Sequence, residues 1–273
     1  MQKTIIITGA TSGIGKESVE IFHKNNWKVI ATGRNQQKLK QFSDLGITTF
    51  LLDVTNSQDI ENLVAFIENE NIKIDVLLNN AGYGQFGTIE EVPMDLIYKQ
   101  FETNVFGFAR VTKFLLPFFR KNNGGKIINI ASIVGAISFP GGGYYSATKF
   151  AVEAISDALR YEVKKYGIKV VIIEPGPLST EFFNVVNNCI PNVENSPYKH
   201  LEQLYFYLKN MDKIPILKFG SPIGMAKIIF KAAKKKQAKN RYTYPFSWYL
   251  LKKFYSIIPS KIIDFFMVKL FLQ

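Results

Sequence analysis

Cysteine is nearly absent from this sequence: Cys189 is the only one among 273 residues. A single thiol cannot form an internal disulfide, so the chain does not depend on an oxidising compartment. No apolar run reaches the roughly 18 to 20 residues of a membrane-spanning helix, and the first ten residues lack the charged and apolar regions of a signal peptide. We therefore expect a cytoplasmic protein.

Histidine is also scarce. His23 and His200 are the only two histidines, and neither has a neighbour at metal-ligand spacing. We therefore expect no metal site. The basic C-terminal segment lacks a recognised nucleic-acid-binding module and has apolar neighbours, so we expect no nucleic-acid partner.

Short apolar, β-branched runs alternate with longer amphipathic segments, which is typical of a parallel sheet covered by helices on both faces. The predicted strands are 3–8, 27–31, 48–53, 74–79, 126–131 and 168–173. The predicted helices lie near 14–25, 57–70, 94–120 and 145–166. We predict a single α/β domain over residues 1–245, followed by a tail at 246–273.

Residues 181–215 interrupt the alternation and are predicted to form a helical lid. The lid is rich in aromatic residues, namely Phe182, Phe183, Tyr198, Tyr205, Phe206 and Tyr207. An aromatic lid beside a site favours a hydrophobic substrate, although such residues also serve as ordinary packing.

Three glycines, Gly9, Gly13 and Gly15, follow the first predicted strand and open the first helix in "TGATSGIG". Glycines in this place let the backbone approach a pyrophosphate, whose charge then lies at the helix N-terminus. The second predicted strand leads into Gly33 and Arg34, where an acid would bind the adenosine ribose of NAD. An arginine accommodates a 2′-phosphate instead, which favours NADP. A solvated arginine on a surface turn is the alternative.

The stretch "GGGYYSATKF" contains two adjacent tyrosines followed by a lysine. Residues four apart lie on one face of a helix, so Tyr145 faces Lys149, whereas Tyr144 has Thr148 at that spacing. A nearby ammonium group favours the phenolate and lowers the pKa of a tyrosine, which suits proton transfer. The spacing therefore favours Tyr145 as the reactive tyrosine. Tyr144 is either a wall of the substrate pocket or a packing residue.

These motifs, in this order, resemble the short-chain dehydrogenase/reductase family over nearly the whole chain. The matching pieces are "TGxxxGIG" at 8–15, Asp53 with Val54, "NNAG" at 79–82, Asn104 in "NVFG", Ser132 in "INIAS", "YSATK" at 145–149 and "PGPLST" at 175–180. The resemblance implies a doubly wound Rossmann sheet of about seven strands in the order 3-2-1-4-5-6-7, with "RYTY" at 241–244 as the seventh.

The resemblance also implies an NADP(H)-dependent oxidoreductase that interconverts a carbonyl and an alcohol. Tyr145 would be the acid or base, Lys149 would hold the nicotinamide ribose, Ser132 would bond the substrate oxygen, and Asn104 would maintain a proton relay through water. The implied cofactor contacts are Gly9, Thr11, Ser12, Gly13, Ile14, Gly15, Arg34, Asp53, Val54, Asn80, Ala81, Gly82, Asn104, Tyr145, Lys149, Pro175, Gly176, Leu178 and Thr180. Ser12 stands where some NADP-preferring relatives have a basic residue, so the expected preference for NADP(H) depends mainly on Arg34.

We expect a lipid-, retinoid-, steroid- or acyl-like substrate. Because family members are often dimers or tetramers through helices near 94–120 and 145–166, the resemblance implies a homodimer or homotetramer. One alternative is a non-catalytic NADP-binding sensor or scaffold, which the intact Ser132, Tyr145 and Lys149 disfavour. Another is an extended, epimerase-like relative acting on nucleotide sugars, which the length and glycine spacing disfavour.

The net charge of +12 is concentrated near the C-terminus. Residues 213–273 contain thirteen Lys or Arg and one acid, Asp264, which leaves 21 residues of each sign before them. The tail at 246–273 is aromatic and apolar; Pro259 is predicted to divide it into two short helices, with Ser260 capping the second. One hypothesis is peripheral attachment to an anionic membrane at its inner surface. The other is packing of the tail on the lid or on a second subunit.

Overall fold

The computed structural model describes residues 2–178, 196–209 and 220–271, and its central feature is a seven-stranded parallel sheet. The strands are β1 (Thr4–Ile7), β2 (Lys28–Gly33), β3 (Thr48–Leu51), β4 (Val76–Asn79), β5 (Gly125–Ile130), β6 (Ile168–Pro175) and β7 (Arg241–Tyr244). Their order is β3-β2-β1-β4-β5-β6-β7, which confirms the predicted fold and the predicted seventh strand.

Helices cover both faces of the sheet, which explains why its central strands are apolar without alternation. One face packs on α1 (Gly13–Lys24) and α8 (Pro222–Lys234), with Phe22 and Ile229 fully buried between them and the strands. The other face packs on α3 (Ser57–Asn69), α5 (Phe108–Lys121) and α6 (Gly143–Glu162). The sheet therefore fixes the carboxyl ends of its strands between two helical layers.

The predicted helix at 94–120 is interrupted. It consists of α4 (Met94–Phe101), a π-helical segment (Glu102–Gly107) and α5. Two described helices were not predicted, α2 (Gln36–Ser43) and α8. Short 3₁₀ turns occur at Ile133–Gly135, Lys164–Tyr166 and Lys199–Leu201.

The predicted lid is only partly described, because residues 179–195 and 210–219 lie outside the described ranges. Phe182 and Phe183 fall there, and the description of Tyr207 does not extend to its side chain. The described part forms α7 (Glu202–Lys209). Leu204 and Tyr205 of this helix are buried.

The tail folds as two helices, α9 (Phe246–Ile257) and α10 (Ser260–Phe271), as predicted. The capping role expected of Ser260 is wrong. The carbonyl of Pro259 accepts a hydrogen bond from the backbone N–H of Ile263 (3.3 Å), so Pro259 occupies the capping position and Ser260 is the first helical residue.

Candidate active site

The glycine loop lies between β1 and α1 and is held closely against the end of β4. Gly9 has φ +62°, a left-handed conformation that favours glycine, and a Cβ on Gly15 would collide with the Gly9 carbonyl. The Asn80 side-chain amide donates to the carbonyls of Thr8 and Gly9, both at 3.0 Å. The result is a cradle that only glycines permit, opening onto the N-terminus of α1.

Ser12 immediately precedes α1 in an extended conformation and makes no side-chain capping hydrogen bond. The first turn of α1 contains no acidic residue. Backbone N–H groups at a helix start are a natural site for a phosphate, which takes the hydrogen bonds that a capping side chain would otherwise supply. The loop therefore fits the pyrophosphate of a dinucleotide.

Arg34 and Asp53 lie side by side at the ends of β2 and β3. An Arg34 guanidinium nitrogen is 3.6 Å from a carboxylate oxygen of Asp53, and the Arg34 side chain is 70% exposed. Burial would raise the pKa of Asp53, but hydrogen bonds from Thr55 and the charge of Arg34 outweigh it and lower the pKa. A Cβ at Gly33 would be 2.9 Å from the Thr11 methyl group, so an acid at that position would collide with the loop.

Ser132, Tyr145 and Lys149 meet in a buried corner at the carboxyl ends of β5 and β6. Tyr145 is hydrogen-bonded to the Ser132 side chain, and Ser132 donates to the carbonyl of Pro175 at 3.2 Å. The Lys149 ammonium donates to the Ile130 carbonyl at 3.0 Å and lies 5.9 Å from the centroid of the Tyr145 ring. The structure thus brings together the three residues predicted to do the chemistry.

Burial shifts the pKa values of Tyr145 and Lys149 in this corner. It raises the pKa of Tyr145 well above its usual value, although the hydrogen bond with Ser132 acts in the opposite direction. Burial also lowers the pKa of Lys149 to about 8, with Glu153 acting in the opposite direction. The pKa of Tyr145 is thus raised rather than lowered in this arrangement, because loss of solvation outweighs the hydrogen bond with Ser132.

Asn104 lies in the π-helical segment Glu102–Gly107. Its side-chain amide donates to the carbonyl of Tyr83 at 2.7 Å and to the hydroxyl of Thr148 at 3.1 Å, and its oxygen accepts from the Tyr83 N–H at 3.0 Å. A Cβ at Gly82 would be 3.0 Å from that oxygen. The wider π turn, a feature often found at functional sites, thus holds Asn104 against the start of α6, next to Lys149.

An apolar cluster surrounds the Tyr145 ring. Its buried members are Phe86, Tyr145, Leu201, Leu204 and Tyr205. The Phe86 and Tyr145 rings are 5.4 Å apart between centroids. Tyr145 is thus enclosed by the described part of the lid.

The side chain of Tyr144 has a different hydrogen-bond partner from that of Tyr145. Its hydroxyl donates to the carbonyl of Ile89 at 3.0 Å. It therefore fastens the start of α6 to the loop after β4.

Gly176, one of the cofactor contacts that the resemblance implies, is covered by the tail. A Cβ on Gly176 would be 2.8 Å from the Trp248 indole of α9, and the Gly176 N–H donates to the Tyr244 carbonyl at 2.8 Å. Sequence reasoning missed Trp248. Its position in the sequence could have predicted this contact, because a helix that directly follows the seventh strand starts at the edge of the sheet that carries the site.

A buried ionic cluster lies beneath the site and was also missed. Glu174, 1% exposed, pairs with Lys252 of α9 and with Arg241, which in turn contacts Glu153 at 2.9 Å. Burial, then the charge of Glu174, raises the pKa of Glu153. A lone acid in the apolar strand "VVIIEP" was the available signal.

The remaining predicted contacts are distributed as follows. Leu178 and Ile14 pack in or against the hydrophobic core, and Val54 is buried against Gly107. Thr180 lies outside the described residues. In the described part of the chain, no group of three His, Cys, Asp or Glu could hold a metal ion, and no helix is long and apolar enough to cross a membrane.

Comparison with known proteins decides the family. A model described as short chain dehydrogenase matches residues 3–189. The chain belongs to the short-chain dehydrogenase/reductase family. Its members are oxidoreductases, which agrees with the resemblance that the motifs carry.

Relatives and solved structures of this family cover most of the chain. The "3-ketodihydrosphingosine reductase" of Bacteroides thetaiotaomicron is 41% identical over 71% of this chain and 71% of its own. The "NADPH-dependent 3-dehydrocapnine reductase" of Ornithobacterium rhinotracheale is 33% identical over 95% and 94%.

A short-chain dehydrogenase structure from Streptomyces avermitilis superposes with a TM-score of 0.83 and 30% identity, covering 98% of this chain and 97% of that one. A serine dehydrogenase complexed with NADP⁺ gives a TM-score of 0.77 at 28% identity, covering 88% and 93%. A nicotinamide cofactor is therefore supported for this member of the family.

Proposed function

We propose that this protein is an NADP(H)-dependent oxidoreductase that interconverts a hydrophobic carbonyl and its alcohol. The observation that carries the proposal is the buried corner in which Tyr145 is hydrogen-bonded to Ser132 with Lys149 one helical turn further on. This corner lies at the same sheet edge as the glycine cradle. When bound, the nicotinamide supplies or accepts the hydride.

The chain's own residues handle the proton and the developing charge. In the reductive direction Tyr145 donates its proton to the substrate oxygen, and Ser132 donates a hydrogen bond to that oxygen as it gains negative charge. The Lys149 ammonium stabilises the phenolate that remains. Asn104, anchored on Tyr83 and Thr148, is assigned the water-mediated path that returns a proton to this group. Burial keeps Tyr145 protonated before the reaction, so the proton that reduction requires is present.

We propose a preference for NADP(H) over NAD(H), with Arg34 binding the 2′-phosphate. Support comes from the exposed guanidinium, from the absence of an acid at Gly33, and from the name of the relative described as NADPH-dependent. Arg34→Gln should raise the KM for NADPH by about tenfold to a hundredfold, the usual effect of losing charged hydrogen bonds, and leave the KM for NADH nearly unchanged. Initial rates with each cofactor measure this. An equal change in KM for NADPH and for NADH would exclude a phosphate contact at Arg34.

We propose a hydrophobic substrate because the Tyr145 ring is enclosed by Phe86, Leu201, Leu204 and Tyr205. The names of two relatives describe reductases acting on 3-ketodihydrosphingosine and 3-dehydrocapnine, so these two ketones belong in the first set tested. Initial rates should be measured for NADPH and for NADH with long-chain, steroid and retinoid carbonyls and with short polar carbonyls. We expect turnover with NADPH and the hydrophobic carbonyls. NADPH binding without oxidation of the cofactor by any carbonyl would favour the sensor or scaffold alternative.

We further propose that residues 1–245 form one catalytic domain in a cytoplasmic homodimer or homotetramer. The helices implicated in assembly expose large apolar side chains: Tyr98 on α4, Phe106 in the π-helical segment, and Phe150, Ile155 and Tyr161 on α6. The single cysteine suits a reducing compartment.

A further inference from the structure

The outward face of α9 is apolar and exposed. Its inward face is partly buried and consists of Trp248, Lys252 and Tyr255. On the other face, residues at spacings of four, four and three form one stripe: Phe246, Leu250, Phe254 and Ile257. Phe246 is 67% exposed, Phe254 59% and Ile257 75%. Nothing in the described chain covers these side chains fully.

The second tail helix, α10, repeats this arrangement. Ile263 and Met267, four residues apart, are its partly buried positions. Of the other apolar residues of this helix, Ile262, Phe265 and Phe266 are 46%, 61% and 54% exposed. Several contiguous large apolar side chains exposed in this way mark an interaction site. We name seven of the exposed apolar side chains of these helices the tail surface: Phe246, Leu250, Phe254, Ile257, Ile262, Phe265 and Phe266.

Lysines flank the tail surface. Lys253, Lys261 and Lys269 are exposed on these helices, and Asp264 is the only acid among residues 246–271. The tail surface is therefore amphipathic and positively charged.

The lysines at 234–236 belong to another region. The Lys126 ammonium, near the amino end of β5, donates to the carbonyls of Ala232, Ala233 and Lys235. Residues 232–236 therefore lie at the amino edge of the sheet. Among the described residues from 220 onward, positive charge therefore occurs at two opposite edges of the sheet.

The tail surface lies at the edge of the sheet that carries the candidate active site. Helix α9 starts at the carboxyl end of β7, Lys252 pairs with Glu174 near the carboxyl end of β6, and Trp248 covers Gly176. A layer bound to the tail surface would therefore lie beside the site.

We propose that the tail surface docks on the surface of an anionic lipid bilayer. Each helix has only twelve residues, too short to span a bilayer, but aromatic and aliphatic side chains flanked by lysines suit insertion at the interface. A second copy of the chain would bring lysines against lysines, whereas anionic headgroups supply the opposite charge. Docking on a bilayer can be measured without turnover.

Flotation of the full chain with phosphatidylcholine vesicles, with and without phosphatidylglycerol, tests the proposal. The native chain should float with the anionic vesicles only, and added salt should release it. Phe254→Gln combined with Phe265→Gln should weaken binding by at least roughly tenfold, because two large apolar side chains no longer insert. The matched control replaces Lys234, Lys235 and Lys236, at the opposite edge, with Gln and should change binding by no more than about twofold.

Three results would overturn the proposal. The first is equal flotation of the native chain and the phenylalanine double variant. The second is a loss of binding in the lysine variant as large as in the double variant. The third is that the native chain does not float and forms an oligomer, whereas the double variant has the solution mass of a monomer. The tail surface would then join copies of the chain. Melting temperatures check that both variants fold, and the requirement of the native chain for anionic lipid tests the proposal without any variant.

Discussion

Tyr145 and Lys149 are both buried, and burial acts on them in opposite directions. It raises the pKa of the Tyr145 hydroxyl and lowers the pKa of the Lys149 ammonium to about 8. In both residues burial favours the neutral form, because a buried charged group loses its solvation by water. Tyr145 therefore keeps its proton at neutral pH, while Lys149 titrates within an accessible range.

The pH dependence of turnover should follow Lys149. This residue is charged below its pKa of about 8 and neutral above it, so kcat/KM should fall as pH rises through that region. The Glu153 carboxylate raises the pKa of Lys149. Glu153→Gln should therefore lower this pKa and move the alkaline fall of kcat/KM to lower pH.

Two readouts distinguish this positioning effect from a general loss of structure. The exposed Glu162 lies on the same helix, and Glu162→Gln should leave the pH profile of kcat/KM in place. The melting temperature of each variant reports folding separately. An alkaline fall that stays at the same pH, or moves to higher pH, in Glu153→Gln would contradict the assigned coupling.

The sequence predicts part of this arrangement at the residue scale. Helical spacing alone favours Tyr145 over Tyr144, and the structure places Tyr145 with Ser132 and Lys149 while Tyr144 donates to Ile89. The catalytic roles themselves stay predictions. The pKa shift of Tyr145 could not be predicted, because the residues that bury its ring are distant from it in the sequence. They are Phe86, Leu201 just before α7, and Tyr205 in α7.

At the scale of elements, β–α alternation predicts the strands well because buried strands are continuous apolar runs. Helix α2 was missed because it has only eight residues and only Leu39 and Phe42 are buried. Helix α8 could have been found, since Ser221 caps it through the Gly224 N–H (3.0 Å) and Pro222 follows. The π-helical segment around Asn104 could not have been predicted, because it is a local change of hydrogen-bond register without a distinctive composition.

Helix α9 supports the end of β6 through Trp248. Trp248→Ala would remove the indole that lies against Gly176, so the backbone that follows β6 should loosen. We expect a loss of about 1–3 kcal/mol of stability, below the usual cost for a fully buried Trp because this side chain is only partly buried, and weaker NADPH binding. Leu250→Ala, on the exposed face of the same helix, should change stability by no more than about 0.5 kcal/mol.

Thermal unfolding and NADPH titration of both variants measure these effects. If Trp248→Ala binds NADPH as tightly as the native chain, the tail does not support the nicotinamide side of the site.

At the scale of the whole molecule, the proposed assembly should depend on the exposed apolar residues of the π-helical segment and α6. Phe106 is 53% exposed and Phe150 44%. A charge on each would have to be buried in an interface, so Phe106→Glu combined with Phe150→Glu should yield monomers. Light scattering gives the mass. Leu45→Glu, at a residue 64% exposed outside these helices, is the control and should keep the native mass.

We propose that the chain binds NADPH and uses Tyr145 to protonate a hydrophobic carbonyl. The most direct test is NADPH oxidation by Tyr145→Phe, measured beside NADPH binding, with Tyr144→Phe as the matched neighbour. General acid catalysis is worth about a hundredfold to ten-thousandfold, so Tyr145→Phe should lose turnover by that factor while binding NADPH normally, and Tyr144→Phe should remain active. Full turnover in Tyr145→Phe would exclude Tyr145 as the catalytic acid.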